Sequence, residues 1–559
     1  MLVVLIDFLP HPNKSSGNNK RNVFIFIVNT HLFLILHNKI VMLSNNKAYI
    51  SLIFLFLLLY LLNVWRNKLF IMACTTILVG KGVSYDGSTL ISRNDDAPTG
   101  VFEAKRLEVV SPSKQPRIYK SKIAHLTIEL PDNPLSYTAM PSVDDRKGIW
   151  AASGINSEDV AMTATETITS NPLVLGADPM ADYKPAEGDK PEVAGGIGEE
   201  DLVAIVLPYI HSAKEGVLRL GALLEKYGTY ESNGIAFSDK DSIWWLESIG
   251  GHHWIARRVD DDEVVIMPNQ FGLDRFDFDD AYGEGKNNLC SKDLKEFIEE
   301  NHLDLNLDGH FNPRLVFGSY TDSDHVYNTP RAWYLLSKLN KNLLIEGNYQ
   351  PESDDIPWAF KPAHKVSVED IKYLQASHYQ GTKYDCYARF NDSAEKGKYR
   401  PIGISRTCFM AVLQVRGYAP EGMKSIEWIG FASNVFNTLI PFFTNTDVVP
   451  SYLGNTTLKV DTNNLYWSSR LVAALADAHF NTAIVHVERY QEKTMSLGHQ
   501  LINKYDKLAI ENKDAVKELI VKANQEISDI YQKETDKVLG NVLYNASCLM
   551  KNGYSRSDN

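Results

Sequence analysis

A Met-Ala-Cys at 72–74, well inside the chain, places a cysteine at the head of "CTTILVGKGVSYDGSTLISRNDD". A cysteine nucleophile needs its thiolate populated and a base to manage protons. Fifteen histidines are present, yet none lies in a cysteine-protease signature. A terminal residue has another base, its own α-amine, with an ordinary pKa of about 7.7. Cys74 can therefore carry nucleophile and base together, provided nothing precedes it in the chain.

The flanking residues read as a hairpin that positions this cysteine. "CTTILVG" (74–80) is β-branched and predicts a strand, Asp86-Gly87 supplies the turn, and "STLISRN" (88–94) predicts the returning strand. Cys74 then opens the first strand, and Arg93 with its acidic neighbours closes the second. "HLTIEL", "IWAASGIN", "SIWWLES", "HHWIARRV" and "EVVIMPNQ" predict further strands, the last two joined by an acidic turn at Asp260–Asp262. "SAKEGVLRLGALLEKYG" predicts a helix with a capping box at Ser212 and Glu215 and a stop at Gly228. Residues 455–497 and 499–539 hold no Gly or Pro, and Leu519, Ala523, Ile527 and Tyr531 recur at helical spacing. Two long helices are expected there, packed on the body or on another subunit.

Composition narrows the class. The 559 residues are 44% apolar with a net charge of −12, which suits a large globular enzyme and argues against nucleic-acid binding. The five cysteines are widely spaced and contain no CxxC, so a disulfide framework or zinc ribbon is not expected and a reducing, cytoplasmic setting is. His252 and His253 are expected on opposite faces of a strand and not on a shared metal. The acidic runs "DLNLDG" and "TDSDH" lack calcium-loop spacing. No metal or other cofactor is expected.

Residues 1–71 differ from the rest. They hold one acid, Asp7, against seven Lys/Arg, and are crowded with Ile, Leu, Phe and Asn. "YISLIFLFLLLYLLNVW" (49–65) is seventeen uncharged residues, at the short end of a membrane span, with Arg66 and Lys68 as a cytoplasmic flank. Read literally, this is a membrane anchor. The composition also matches translated AT-rich non-coding sequence, with Met72 as the true start. Residues 1–73 are therefore expected to lie outside the working enzyme, as a non-native or removed leader. Residues 74–454 form the expected catalytic domain, and 455–559 a helical region of the same unit.

The opening stretch resembles the start of the dipeptidase A family (peptidase family C69), cysteine-type N-terminal-nucleophile hydrolases distantly similar to bile salt hydrolases and penicillin V acylases. "GINSEDVAMTATET", "GHHWIARRV", "MPNQ" and "YNTPRAW" extend the resemblance over most of the chain after Met72. It implies an α+β fold, a four-layer αββα sandwich with the long C-terminal helices added, and hydrolysis of short peptides by a metal-independent route. By the same resemblance, Cys74 is the nucleophile and Arg93 lies against its thiol. Asp96 orients the α-amine, although strict strand alternation would put Asp95 on the Arg93 side. Asn156 and Asn269 match oxyanion-hole positions, and Arg331 matches an arginine supporting the site. Ala73 departs from the Met-Cys start of related acylases, so trimming or self-cleavage at Ala73–Cys74 is required. A homo-oligomer is expected. The alternatives are an N-acyl amidohydrolase of the same mechanism and a membrane-anchored binding protein that keeps its leader.

Overall fold

Strands buried on both faces have no polar side to alternate, and the central hairpin shows this. In the computed structural model, which describes residues 74–98, 100–164, 166–307, 309–388 and 394–552 together with the backbone of 2–6 and 24–28, β1 (Thr76–Val79) and β2 (Thr89–Asp96) are buried at every position. They pair antiparallel, with Thr76 opposite Arg93 and Val79 opposite Leu90. Cys74 lies two residues ahead of β1 rather than within it.

In chain order the main strands that follow are β3 (Ser153–Ile155), β4 (Ala161–Thr163), β5 (Asn233–Ser238), β6 (Ile243–Ile249), β7 (His253–Val259), β8 (Val264–Met267), β9 (Asn288–Cys290), β10 (Ala359–Phe360), β11 (Thr407–Val415), β12 (Ser425–Phe431) and β13 (Ile440–Phe443). One sheet runs β9-β7-β6-β5-β4-β3, with Glu166–Thr167 also pairing β5. The other runs β10-β8-β1-β2-β11-β12-β13, so the hairpin bearing Cys74 is central. Every pairing within both sheets is antiparallel. The chain is thus mixed α and β, with antiparallel sheets and long C-terminal helices.

Strand β2 contacts β4 and β5 of the first sheet. Glu427 of β12 adds a polar tie between the sheets, accepting from Ser153 Oγ of β3 at 2.9 Å and from Thr138 Oγ1 at 2.7 Å. Burial pushes its carboxyl up to about 7.

The helices cover these sheets. α1 (Ala213–Tyr227) packs on β5, β6 and β7. Ser212 caps it by accepting from Glu215 N, but Glu215 reaches back to His211 N at 2.7 Å, so the box is shifted by one residue. Gly228 closes it at φ +69, a conformation glycine adopts without a Cβ penalty. α2 (Thr329–Leu339) packs on β8, and α3 (Val368–Gln375) on β2.

At the C-terminus, α4 (Leu465–Ala478) packs on β12, while α5 (Phe480–Glu511) and α6 (Val516–Cys548) pack on β13 and on each other. The expected break at Gly498 is corrected. α5 runs through it and ends at Glu511, because Gly498 is a packing residue: a Cβ there would sit 2.7 Å from Tyr531 Oη.

Residues Met1–Ile71 and Met72–Asn559 form two separate units. In the first, Leu2–Ile6 pairs antiparallel with Phe24–Val28. The apolar run at 49–65 lies outside the described residues. Among the described residues, no helix is long and apolar enough to cross a membrane.

Candidate active site

Burying an arginine is costly unless its hydrogens are all directed to acceptors. Arg93, fully buried on β2 at the mouth of the hairpin, directs four of its five N–H hydrogens to acceptors. Its Nη2 donates to Cys74 Sγ at 2.8 Å and to Glu199 Oε1 at 3.0 Å. Its Nη1 donates to Ala152 O at 3.2 Å, and its Nε to Asn94 O at 3.3 Å. A guanidinium hydrogen directed at sulfur stabilises the thiolate over the thiol.

Carboxylates and a lysine surround this pair. Asp95 Oδ1 lies 3.9 Å from Arg93 Nη2, and its Oδ2 lies 3.0 Å from Lys105 Nζ. Lys105 also donates to Trp150 O at 2.8 Å. Trp150 and Ala152 both adopt left-handed backbone (φ +51 and +62), and each aims its carbonyl at one of the two buried cations. Such backbone costs about 1–3 kcal/mol per residue and concentrates at functional sites. Burial pushes the Glu199 carboxyl up, against the opposing pull of Arg93.

On the opposite side, Arg331 of α2 holds the cysteine's main chain. Its Nη1 donates to Cys74 O at 2.5 Å and to Thr75 Oγ1 at 2.7 Å. Its Nη2 donates to Asn269 Oδ1 and to Asn328 Oδ1, both at 2.8 Å. Asn328 in turn donates to Asn269 O at 3.0 Å, and Asn269 Nδ2 donates to Thr167 O at 3.0 Å. From α3, Gln375 Nε2 donates to Thr75 O at 2.9 Å. The peptide carrying Cys74 is therefore fixed from two helices.

The structure brings Cys74, Arg93, Asn269 and Arg331 together. Asp96 is engaged elsewhere. Alternation along β2 turns Asp95, not Asp96, toward Arg93, and Asp96 pairs with Arg400 and accepts from Thr407 Oγ1 at 2.5 Å. Asn156 also has other partners. Its amide donates to Leu207 O at 2.9 Å and Ile210 O at 2.8 Å, and its main-chain N–H to Val160 O at 2.9 Å. It organises the turn after β3. Glu199, Lys105, Asn328 and Gln375 are site residues that no motif or spacing in the sequence marks. Only Glu199 carried a visible signal, as the first acid of "GGIGEED".

His252 and His253 do not point apart as strand neighbours would. His252 precedes β7, and both rings turn Nδ1 to Asp178, at 2.9 and 2.7 Å. Among the described residues, no group of three or more His, Cys, Asp or Glu is placed to hold a metal ion.

Comparison with known proteins identifies the family. The model of peptidase family C69 matches residues 73–493. A dipeptidase of Bifidobacterium longum is 51% identical over 532 residues, covering 87% of this chain and all of the relative. A probable dipeptidase A of Streptococcus pyogenes serotype M3 is 49% identical over 490 residues, with 87% and 100% coverage. Dipeptidase A of Lactobacillus helveticus is 41% identical, with 87% and 99% coverage. A match that begins one residue before Cys74 and runs beyond β13 into α5 takes in both sheets, and the chain belongs to peptidase family C69.

Proposed function

We propose that this peptidase is a cysteine-type dipeptidase in which Cys74, once terminal, supplies both nucleophile and base. One observation carries the reading: Arg93 donates to Cys74 Sγ at 2.8 Å while Arg331 grips the same residue's carbonyl and the Asn269 amide. The similarity to dipeptidases supplies the substrate class. Under this reading the two sheets and their covering helices form the αββα sandwich of N-terminal-nucleophile hydrolases.

The Cys74 thiolate attacks the peptide carbonyl, and the Asn269 amide donates to the oxyanion that forms. The α-ammonium of Cys74 protonates the leaving amine as the C–N bond breaks. The amine, now neutral, takes a proton from water, which attacks the thioester and releases the second product and the thiolate. Arg93 holds the sulfur's charge throughout. Residues 1–73 must be absent or removed, because an acylated Cys74 nitrogen cannot act as this base. No step uses a metal.

Turnover of a dipeptide panel, a conjugated bile salt and penicillin V by wild type and Cys74→Ala tests the proposal. Wild type is expected to hydrolyse dipeptides. Cys74→Ala is expected to lose at least about a thousandfold while melting as a folded protein. Retained activity in Cys74→Ala, or turnover of acyl amides only, would contradict it.

A further inference from the structure

We propose that Glu199 reads the free α-ammonium of the substrate and so makes the enzyme a peptidase of unblocked dipeptides. The inference rests on the dipeptidase reading and extends it to substrate selection. Glu199 Oε1 and Cys74 Sγ bind the same guanidinium nitrogen, at 3.0 and 2.8 Å, so the two atoms lie within about 6 Å of one another. In a dipeptide, the α-nitrogen is two bonds from the scissile carbonyl carbon, about 2.5 Å. A sulfur poised for attack stands about 3–3.5 Å from that carbon. The ammonium of a bound substrate and the Glu199 carboxylate therefore occupy the same shell around the sulfur.

The carboxylate also has an oxygen to give. Oε1 takes the Arg93 hydrogen, whereas Oε2 has no hydrogen-bond partner among the described residues, in a side chain only 3% exposed. Oε2 is therefore open to a donor that a ligand supplies. The charge balance points the same way. Arg93 and Lys105 face Asp95, Glu199 and Glu231, whose Oε1 accepts from Glu199 N at 2.7 Å, and the Cys74 thiolate adds a further negative charge. With the α-ammonium of Cys74 counted as a third cation on this side, one positive charge is still lacking, and a substrate ammonium supplies it. An N-acylated substrate brings none, and offers Oε2 no charged donor.

The test compares Ala-Ala, or whichever dipeptide of a panel turns over fastest, with its des-amino analogue (propanoyl-alanine for Ala-Ala) as a competitive inhibitor. In wild type the analogue is expected to bind about 10- to 150-fold more weakly than the dipeptide, as befits a lost charged hydrogen bond. Glu199→Gln keeps an acceptor for Arg93 but loses the charge. In it the dipeptide KM is expected to rise until substrate and analogue bind alike, and Glu199→Asp is expected to restore part of the difference. An unchanged KM ratio in Glu199→Gln overturns the proposal. So does a parallel weakening of both compounds, which would mark Glu199 as only a support for Arg93. If Glu199→Gln is unfolded by thermal melt, Glu199→Asp alone decides, through a smaller but measurable fall in the same ratio. Failure of wild type to cleave any dipeptide would instead overturn the dipeptidase reading itself.

Discussion

Arg331 donates from one nitrogen to the Cys74 carbonyl and from the other to the Asn269 side-chain oxygen. A guanidinium only donates, so the Asn269 oxygen must face it and the amide nitrogen must face away. Its Nδ2 gives one hydrogen to Thr167 O, and the proposed mechanism assigns the other to the oxyanion. Asn269→Ala is expected to lower kcat by about 100- to 1,000-fold with little change in KM. A loss below tenfold in steady-state kinetics would place the oxyanion elsewhere. At this scale the sequence was legible where chemistry and local spacing coincide. Cys74 and Arg93 sit on one hairpin. Asp95 against Asp96 turns on strand alternation, a period of two, and Asp95 is the one that faces Arg93. Glu199 stood out only as an acid after a glycine run, because its contact with Arg93 spans 106 residues and its loop has no period to read.

Gly498 shows the limit of punctuation rules for whole elements. A glycine between two uninterrupted runs reads as a break, yet α5 passes through it. Tertiary contact decides: a Cβ there meets Tyr531 Oη at 2.7 Å and Trp428 and Pro441 at 3.3 Å. Tyr531 is fully buried and donates to Thr494 O at 2.6 Å, so it cannot swing aside. Gly498→Ala gains about 1 kcal/mol of helix propensity but overpacks a tight crossing, which costs about 1–3 kcal/mol. A lower urea midpoint is expected, and a higher one would show that the crossing has slack. The hairpin and the strands β6, β7 and β8, by contrast, were legible to within a few residues, since β-branched runs such as "TILV" and "VVIM" have a paired strand on each side, whereas β4, β5 and β9 to β13 were not read as strands.

Across the whole molecule, several carboxyls are buried with too few donors to hold their charge. Burial pushes Asp201, Glu247 and Glu427 up to about 7. In the unfolded chain they titrate near 3.8 for Asp and 4.5 for Glu. Between those values and the raised ones, the folded protein holds protons that the unfolded chain has released. Stability from these groups is complete below the unfolded values and is lost as pH rises through the folded ones. The calorimetric melting temperature is expected to fall between about pH 5 and pH 8 at constant ionic strength. A steady rise over that range would mean the carboxyls are charged in the fold.

The central claim is that Cys74 works as a first residue. Intact mass and N-terminal sequencing of the active enzyme test it most directly. The expected mature chain begins at Cys74, with activity tracking the fraction of molecules so processed. Full dipeptidase activity in molecules that still carry Ala73 or anything before it would contradict the mechanism.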